Sequence, residues 1–152
     1  KQLDFGFGGY ISRVDNRLLN TLLKDDYRPV IAAIGNDKTG QSYNINADQV
    51  AYAIAKAVKA EKLIYLTDTD GVYMDPDNPD SIIRRLFAEN VPKLIEEGII
   101  SGGMIPKVEN SVDALNQGVK SVHILDGKVE HSMLLELVTA AGVGTMIRRS
   151  II

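Results

Sequence analysis

The chain has 152 residues, of which 45% are apolar and 24% are charged, and its formal net charge is −3. A chain of this length can bury about 70% of its unfolded surface, so we expect one domain spanning 1–152 with a substantial core. This charge balance gives no indication of nucleic-acid or membrane-surface binding. The sequence contains no cysteine, two histidines outside any zinc-binding motif, and no apolar run of the ~18–20 residues that a membrane helix needs.

Short apolar runs typical of buried strands alternate with stretches whose apolar residues recur three or four positions apart, as in helices. In chain order the predicted elements are a strand at 9–14, a helix capped by Asp15, a buried strand at 29–34, a turn at 37–40, a helix at 47–60, a buried strand at 63–66, a surface loop at 75–81, helices at 91–97 and 107–116, a strand at 122–125, a helix at 131–138 and a strand at 145–147. This alternation predicts an α/β fold, a three-layer sandwich with a mainly parallel sheet, whose ligands bind beyond the carboxyl ends of the strands.

Two amides and a carboxylate, Asn44, Asn46 and Asp48, lie at the start of the helical pattern. Asn and Asp are favoured helix caps, but one side chain is sufficient to cap a helix. The N-terminus of a helix also favours anionic ligands. The sequence therefore leaves two interpretations open: capping alone, or a site in which Asn44 contacts a substrate and Asp48 positions nearby lysines.

A glycine pair, Gly102 and Gly103, precedes Lys107 at the start of another predicted helix. Glycines let the backbone approach phosphates closely, and a lysine supplies the cationic charge that phosphoryl transfer requires. A solvated surface lysine is the alternative interpretation. No Walker-type sequence occurs, which excludes a P-loop NTPase.

The segment from Thr67 to Tyr73 follows a buried strand and turns on Gly71. It predicts either a capped turn or a nucleotide platform with the Tyr73 ring near the base or ribose. His123 and Glu136, by contrast, have the pattern of ordinary strand and helix residues.

Several of these motifs resemble acetylglutamate kinases, in the same order and spacing. They are Tyr-Asn-Ile-Asn-Ala-Asp at 43–48, Leu-Thr-Asp at 66–68, Ser-Gly-Gly-Met-Ile-Pro-Lys at 101–107, Val-His-Ile-Leu-Asp-Gly at 122–127, His-Ser-Met-Leu-Leu-Glu at 131–136 and Gly-Val-Gly-Thr-Met-Ile at 142–147. The resemblance covers nearly the whole chain and corresponds to the C-terminal, nucleotide-binding half of that enzyme, within the amino acid kinase superfamily.

The family uses ATP and Mg²⁺ to phosphorylate the γ-carboxylate of N-acetyl-L-glutamate in arginine biosynthesis. The resemblance implies that Lys107 stabilises the transferring phosphoryl group, Asp48 orients the catalytic lysines and Asn44 holds the substrate. The implied nucleotide-binding residues are Thr67, Asp68, Gly71, Val72, Tyr73, Ile99, Ile100, Ser101, Gly103 and Met104. Magnesium in this family is held mainly through phosphates, so no protein metal ligand is expected.

The chain also departs from the family pattern. A complete enzyme has an N-terminal half with a second catalytic lysine, a glycine-rich phosphate loop and most of the acetylglutamate site, and nothing before Tyr10 supplies these groups. We therefore expect a fragment or isolated domain that binds nucleotide but turns over poorly. Such a half is expected to expose an apolar face around Phe5, Phe7 and Tyr10.

Arginine-inhibited members resemble the chain at His123, Glu136 and Gly142, which implies a candidate arginine effector site. Here Ala140 and Ala141 replace the acidic residues often found before that glycine. The resemblance further implies a cytoplasmic protein (plastid in a plant or alga) that forms homo-oligomers at full length. Alternatives are a sister kinase with another carboxylate substrate, or a non-catalytic domain that binds nucleotide or the PII signalling protein.

Overall fold

The computed structural model describes residues 6–140 and 142–150. The chain divides into two compact units, Lys1–Val58 and Lys59–Ile152, which are described separately below. The single domain over 1–152 stays a prediction, and Phe5 and Ala141 lie outside the described residues. In the described part of the chain, none of the helices has the length and apolar character needed to cross a membrane.

The first unit contains two helices and a short two-stranded sheet. Its elements are α1 (Arg17–Lys24), β1 (Ile34–Asn36), β2 (Ser42–Asn44) and α2 (Ala47–Val58). Strands β1 and β2 pair antiparallel, with Gly35 opposite Tyr43. The turn predicted at 37–40 joins them, because Asp37 Oδ1 accepts hydrogen bonds from the backbone N–H of Thr39 at 2.8 Å and of Gln41 at 3.1 Å.

Both strands predicted at the start of this unit are wrong. Residues 9–14 form no strand, and Gly8, just before them, makes an isolated bridge to Asn44 of β2. The apolar run at 29–34 is not a buried strand either, since Val30 is 99% exposed. An apolar run records which residues prefer burial, but a buried strand also needs neighbours on both faces. In the described part of this unit, the only sheet is the β1–β2 pair, which cannot cover both faces of a third strand.

The helix predicted after Asp15 is confirmed, but its N-cap is Asn16 and not Asp15. The Asp15 carboxylate still accepts the backbone N–H of Arg17 at 3.2 Å. Phe7 and Tyr10 are exposed, and the sequence predicted an exposed apolar face around these residues.

The second unit is built on a four-stranded sheet. Its strands are β3 (Lys62–Thr67), β4 (Arg85–Phe87), β5 (Ser121–Asp126) and β6 (Thr145–Arg148), in the order β3-β5-β6-β4. The β3–β5 and β4–β6 pairs are parallel and the β5–β6 pair is antiparallel. The fold is therefore α/β with a mixed, mostly parallel sheet, as the alternating pattern predicted. Strand β5 lies between β3 and β6 and is fully buried from Ser121 to Leu125.

Three helices accompany this sheet: α3 (Val91–Glu96), α4 (Met104–Asn116) and α5 (Ser132–Val138). Helix α4 buries one face, at Val108, Ser111, Ala114 and Leu115, as three- and four-residue spacing requires. It starts three residues earlier than predicted, so Lys107 lies in its first turn. The predicted surface loop at 75–81 is confirmed and ends in a 3₁₀ turn, Pro79–Ser81.

Candidate functional site

Strand β3 ends at Thr67, and polar groups gather at this edge of the sheet. The Thr67 hydroxyl donates to Asp68 Oδ1 at 3.1 Å. This hydrogen bond, the backbone N–H of Asp68 and the positive charges of Lys128 and Lys107 lower the pKa of the Asp68 carboxyl group. The edge therefore carries an ionised carboxylate within the electrostatic influence of two lysines.

The loop after Asp68 packs closely against β6. The Val72 N–H donates to the hydroxyl of Thr145 at 2.8 Å. A Cβ atom on Gly71 would collide with that same hydroxyl, so glycine is required there by packing. Val72 is only 3% exposed. This predicted nucleotide-binding residue is therefore a packing residue of the loop, and its backbone N–H is already bonded to Thr145.

Tyr73 closes this loop. Its hydroxyl donates to Asp70 Oδ2 at 2.5 Å, and this hydrogen bond, together with burial, raises the pKa of Tyr73. An antiparallel bridge to Ile82 fixes its backbone. Tyr73 is thus fixed through both its hydroxyl and its backbone. A ring that packs beside a ligand needs to be held in place in this way.

Lys107 and its neighbours lie at the start of α4. The Lys107 ammonium lies 5.4 Å from the centroid of the buried Tyr65 ring on β3, within range of a cation–π interaction. Gly103 is the N-cap of α4 with φ −67°, and a Cβ there would meet no atom within 4 Å. Ile100 is buried and belongs to the core, whereas Ser101 is exposed beside Gly103. Ile99 and Met104 are half-buried.

Asn44 and Asp48 lie in the first unit, and Lys107 and the predicted nucleotide residues lie in the second. Asn44 belongs to β2, where its backbone accepts the N–H of Gly9 at 3.0 Å. The cap of α2 is Asn46, whose Oδ1 accepts the backbone N–H of Asp48 at 3.0 Å and of Gln49 at 3.2 Å. Capping by Asn46 means that the Asp48 carboxylate in the first turn is not explained by capping alone.

The three residues of the candidate effector site lie together around a buried hydrogen-bonded pair, His123 and Glu136. His123 Nδ1 lies 2.8 Å from Glu136 Oε1, and both side chains are 5% exposed. Glu136 Oε2 accepts the N–H groups of Val143 at 2.8 Å and Gly144 at 3.1 Å. Burial raises the pKa of Glu136, but the hydrogen bonds from His123 and these two amides outweigh it, so the pKa is lowered. Gly142, with φ +65°, has no room for a Cβ beside this carboxylate.

Sequence reasoning missed three residues of this region: Tyr65 beneath Lys107, Lys128 near Asp68, and Thr145 against the loop. Tyr65 was visible only as part of an apolar run, and Lys128 only as a charge after the Asp126–Gly127 turn. Nothing local to Thr145 indicates a contact with Val72, 73 positions away. In residues 6–140 and 142–150, no three or more His, Asp or Glu side chains are grouped so that they could hold a metal ion.

The model of the Amino acid kinase family matches residues 1–126, and the chain belongs to this family. Curated relatives similar to it are acetylglutamate kinases. That of Methanosphaera stadtmanae is 50% identical over 147 residues, which cover 97% of this chain and 49% of the relative. That of Clostridioides difficile is 52% identical over 149 residues, which cover 98% of this chain and 52% of the relative. The chain spans about half the length of the curated relatives it matches.

Solved structures agree with this assignment of the fold. N-acetylglutamate synthase from Neisseria gonorrhoeae, complexed with coenzyme A and N-acetyl-glutamate, superposes with a TM-score of 0.87 at 30% identity, covering 96% of this chain and 33% of that chain. Carbamate kinase from Giardia lamblia bound to AMP-PNP gives a TM-score of 0.68 at 17% identity, covering 94% of this chain and 47% of that chain. At that identity the second likeness concerns the fold alone.

Proposed function

We propose that this chain supplies the ATP-binding half of an acetylglutamate kinase, which phosphorylates the γ-carboxylate of N-acetyl-L-glutamate in arginine biosynthesis. The likeness to acetylglutamate kinases over nearly the whole chain supports the reaction. The observation that carries the nucleotide assignment is the pairing of Lys107 with an open glycine turn at the start of α4.

Gly103 is the position that argues most directly for a ligand. Its φ of −67° suits any residue, and its missing Cβ would meet no protein atom within 4 Å. Neither backbone conformation nor packing therefore explains the glycine. An incoming phosphate would explain it, since the bare backbone and the N–H groups of a helix N-terminus favour close approach of an anion.

Lys107 supplies the cation at this turn. Phosphoryl transfer depends on positioning and on stabilising charge that spreads over the equatorial oxygens of the phosphoryl group. The Tyr65 ring centroid lies 5.4 Å from the ammonium, and a cation–π interaction at this distance would help to keep the ammonium beside the turn. The base and ribose lie along Asp68 to Tyr73 in this proposal, and Mg²⁺ arrives with the phosphates of ATP.

Asn44 and Asp48 complete the proposal, with Asn44 holding the acetylated substrate and Asp48 orienting the catalytic lysines. The cap formed by Asn46 supports this role for Asp48, because capping does not account for a second polar side chain. An arginine site bordered by His123, Glu136 and Gly142, assembly into homo-oligomers and binding of PII stay predictions for the full-length protein.

The test of the nucleotide assignment is calorimetric titration of the chain with ADP·Mg. We expect saturable binding by the wild type and binding that is about 10- to 100-fold weaker in Lys107→Ala, since a hydrogen bond to a charged group contributes about 1.5–3 kcal/mol. The matched control is Lys93→Ala on α3, which removes an exposed lysine and should bind as the wild type does. A wild type without saturable binding, or equal affinities of the two lysine variants, would contradict the proposal.

The reaction itself is tested in the full-length protein by trapping the acyl phosphate with hydroxylamine. N-acetyl-L-glutamate should give product, and aspartate should give none. Lys107→Ala should lower the rate by about 10²–10³, the usual effect of removing one preorganised donor to a transition state. Product from aspartate alone would favour the sister-kinase alternative.

A further inference from the structure

We propose that Thr145 is a positioning residue for the nucleotide, because its buried hydroxyl fixes the backbone of the loop from Asp70 to Tyr73. The inference rests on the proposed function, which takes this loop as the nucleotide platform. Thr145 itself has no solvent exposure and cannot touch a nucleotide in the loop directly. Its effect is therefore exerted through the loop backbone.

The loop is fixed at Val72 from two sides. Its N–H donates to the Thr145 hydroxyl at 2.8 Å, and its carbonyl accepts the N–H of Ile83 at 2.8 Å. The first of these bonds is made to a side chain of β6, whereas the second joins two neighbouring loop segments. Removing the Thr145 hydroxyl would therefore detach the loop from the sheet while leaving its local turn intact.

The backbone at Gly71 lies so close to β6 that a side chain at this position would not fit. A Cβ on Gly71 would lie 3.0 Å from the backbone nitrogen of Thr145 and would collide with its hydroxyl. A Cβ on Gly144 would collide with the carbonyl oxygen of Ile124 on β5 and would also lie 3.1 Å from the carbonyl oxygen of Asp70. The absence of side chains at Gly71 and Gly144 thus lets the loop and β6 lie close enough for the Thr145 hydroxyl to reach the Val72 amide.

Thr145 is itself held in a fixed position. It pairs with Ile124 at the start of β6. The two residues before it donate their N–H groups to the buried Glu136 carboxylate. The loop is consequently attached to a part of the sheet that is anchored by the hydrogen bonds of Glu136, and its geometry is set before any nucleotide arrives. Preorganisation of this kind increases affinity because the ligand does not have to order the loop.

The test compares Thr145→Val, which keeps the shape and removes the hydroxyl, with Thr145→Ser, which keeps the hydroxyl. Ser121→Ala is the matched control, because it removes another buried hydroxyl, 3.0 Å from His123 Nε2 at the opposite end of β5. Each protein is titrated with ADP·Mg, its melting temperature is measured, and exchange of the Val72 amide hydrogen is followed by NMR.

We expect Thr145→Val to raise the Kd for ADP about tenfold, equivalent to about 1.4 kcal/mol, and to accelerate exchange of the Val72 amide. Thr145→Ser should bind ADP as the wild type does, and Ser121→Ala should lower the melting temperature without changing the Kd. Wild-type affinity in Thr145→Val, or an equal loss in Ser121→Ala, would overturn the inference. A wild type that does not bind ADP would overturn the proposed function and this inference with it, and that result is visible before any variant is compared.

Discussion

Replacing Glu136 by alanine tests a buried carboxylate that makes three hydrogen bonds. One oxygen lies 2.8 Å from His123 Nδ1, and the other accepts the N–H groups of Val143 and Gly144. Alanine at this position would leave two amides and an imidazole without these contacts in a region closed to water. The substitution thus removes the hydrogen bonds by which this residue of α5 holds the turn that leads into β6.

The size of the effect follows from these contacts. Each buried amide or imidazole N–H left without its acceptor costs about 1–3 kcal/mol. The three contacts share one carboxylate, so their values do not simply add. We expect Glu136→Ala to lower the free energy of unfolding by about 3–5 kcal/mol, a large part of the 5–15 kcal/mol that is typical of a domain. Glu136→Gln keeps an oxygen for the amides and should lose less.

The assay is urea unfolding at pH 7. With an m-value of about 2 kcal/mol/M, the expected loss moves the unfolding midpoint down by about 2 M. The matched control is Glu130→Ala, because the Glu130 side chain is 88% exposed, and surface changes of this kind are usually within about 0.5 kcal/mol. Equal midpoints for the two alanine variants would refute the reasoning.

The same variants should differ in their response to acid. The folded-state pKa of Glu136 is lowered, despite burial, by hydrogen bonds from His123 and from the Gly144 and Val143 amides. Its contribution to stability is therefore fully present above the unfolded pKa of about 4.3 and is lost as the pH falls through the lower folded value. Wild type and Glu130→Ala should lose this contribution on acidification, whereas Glu136→Ala has none to lose. Parallel stability profiles for all three proteins between pH 7 and pH 3 would contradict the assignment.

Two further predictions concern the loops. Gly71→Ala should lower both the melting temperature and the affinity for ADP, because its Cβ meets Thr145 and overpacking typically costs about 1–3 kcal/mol. Gly103→Ala, whose Cβ meets no atom within 4 Å, should weaken ADP binding alone. Equal melting temperatures of the two variants would contradict this expectation. In the first unit, a hydrogen bond from the Thr39 hydroxyl, with further bonds from backbone and side-chain donors, lowers the pKa of Asp37 to about 2. An NMR titration of its carboxyl carbon should show that midpoint and an upward shift in Thr39→Val, and the stabilisation of the turn should be lost as the pH falls through about 2; an unchanged midpoint in the variant would argue against the assigned donor.

Periodicity predicted the second unit well, because its strands have the neighbours that apolar runs imply. Both β3 and β5 were expected from such runs, and they lie side by side in the sheet. Strand β4 was missed, since its three residues begin with an arginine and are too short to show alternation. The start of α4 was predicted three residues too late, and Pro106 lies in its first turn, where proline is tolerated. In the first unit the same reasoning failed at 29–34, where no covering sheet surrounds the apolar residues.

The motifs located the candidate site along the chain, but they gave no information on contacts between distant segments. The bond from Val72 to Thr145 joins positions far apart in sequence, and neither residue type is unusual where it stands. The resemblance grouped His123 with Glu136 and Gly142, but the residue patterns alone did not indicate the contact, because His123 and Glu136 each have an ordinary pattern for their own element. Such contacts depend on which strands become neighbours, and a single sequence does not state that order.

The glycines of the motifs are required for different physical reasons, and these reasons bear on where a ligand binds. Gly71 is required by the close packing of the loop against Thr145, Gly144 by the nearby Ile124 carbonyl and Leu125 side chain of β5, and Gly142 by its φ of +65° beside the Glu136 carboxylate. These three would be needed in the fold whether or not a nucleotide binds. Gly103 has neither a positive φ nor a crowding neighbour. Gly103 lies one helical turn before Lys107. The one of these glycines that neither conformation nor packing requires is therefore at the position where a phosphate would meet both the helix N-terminus and a cation.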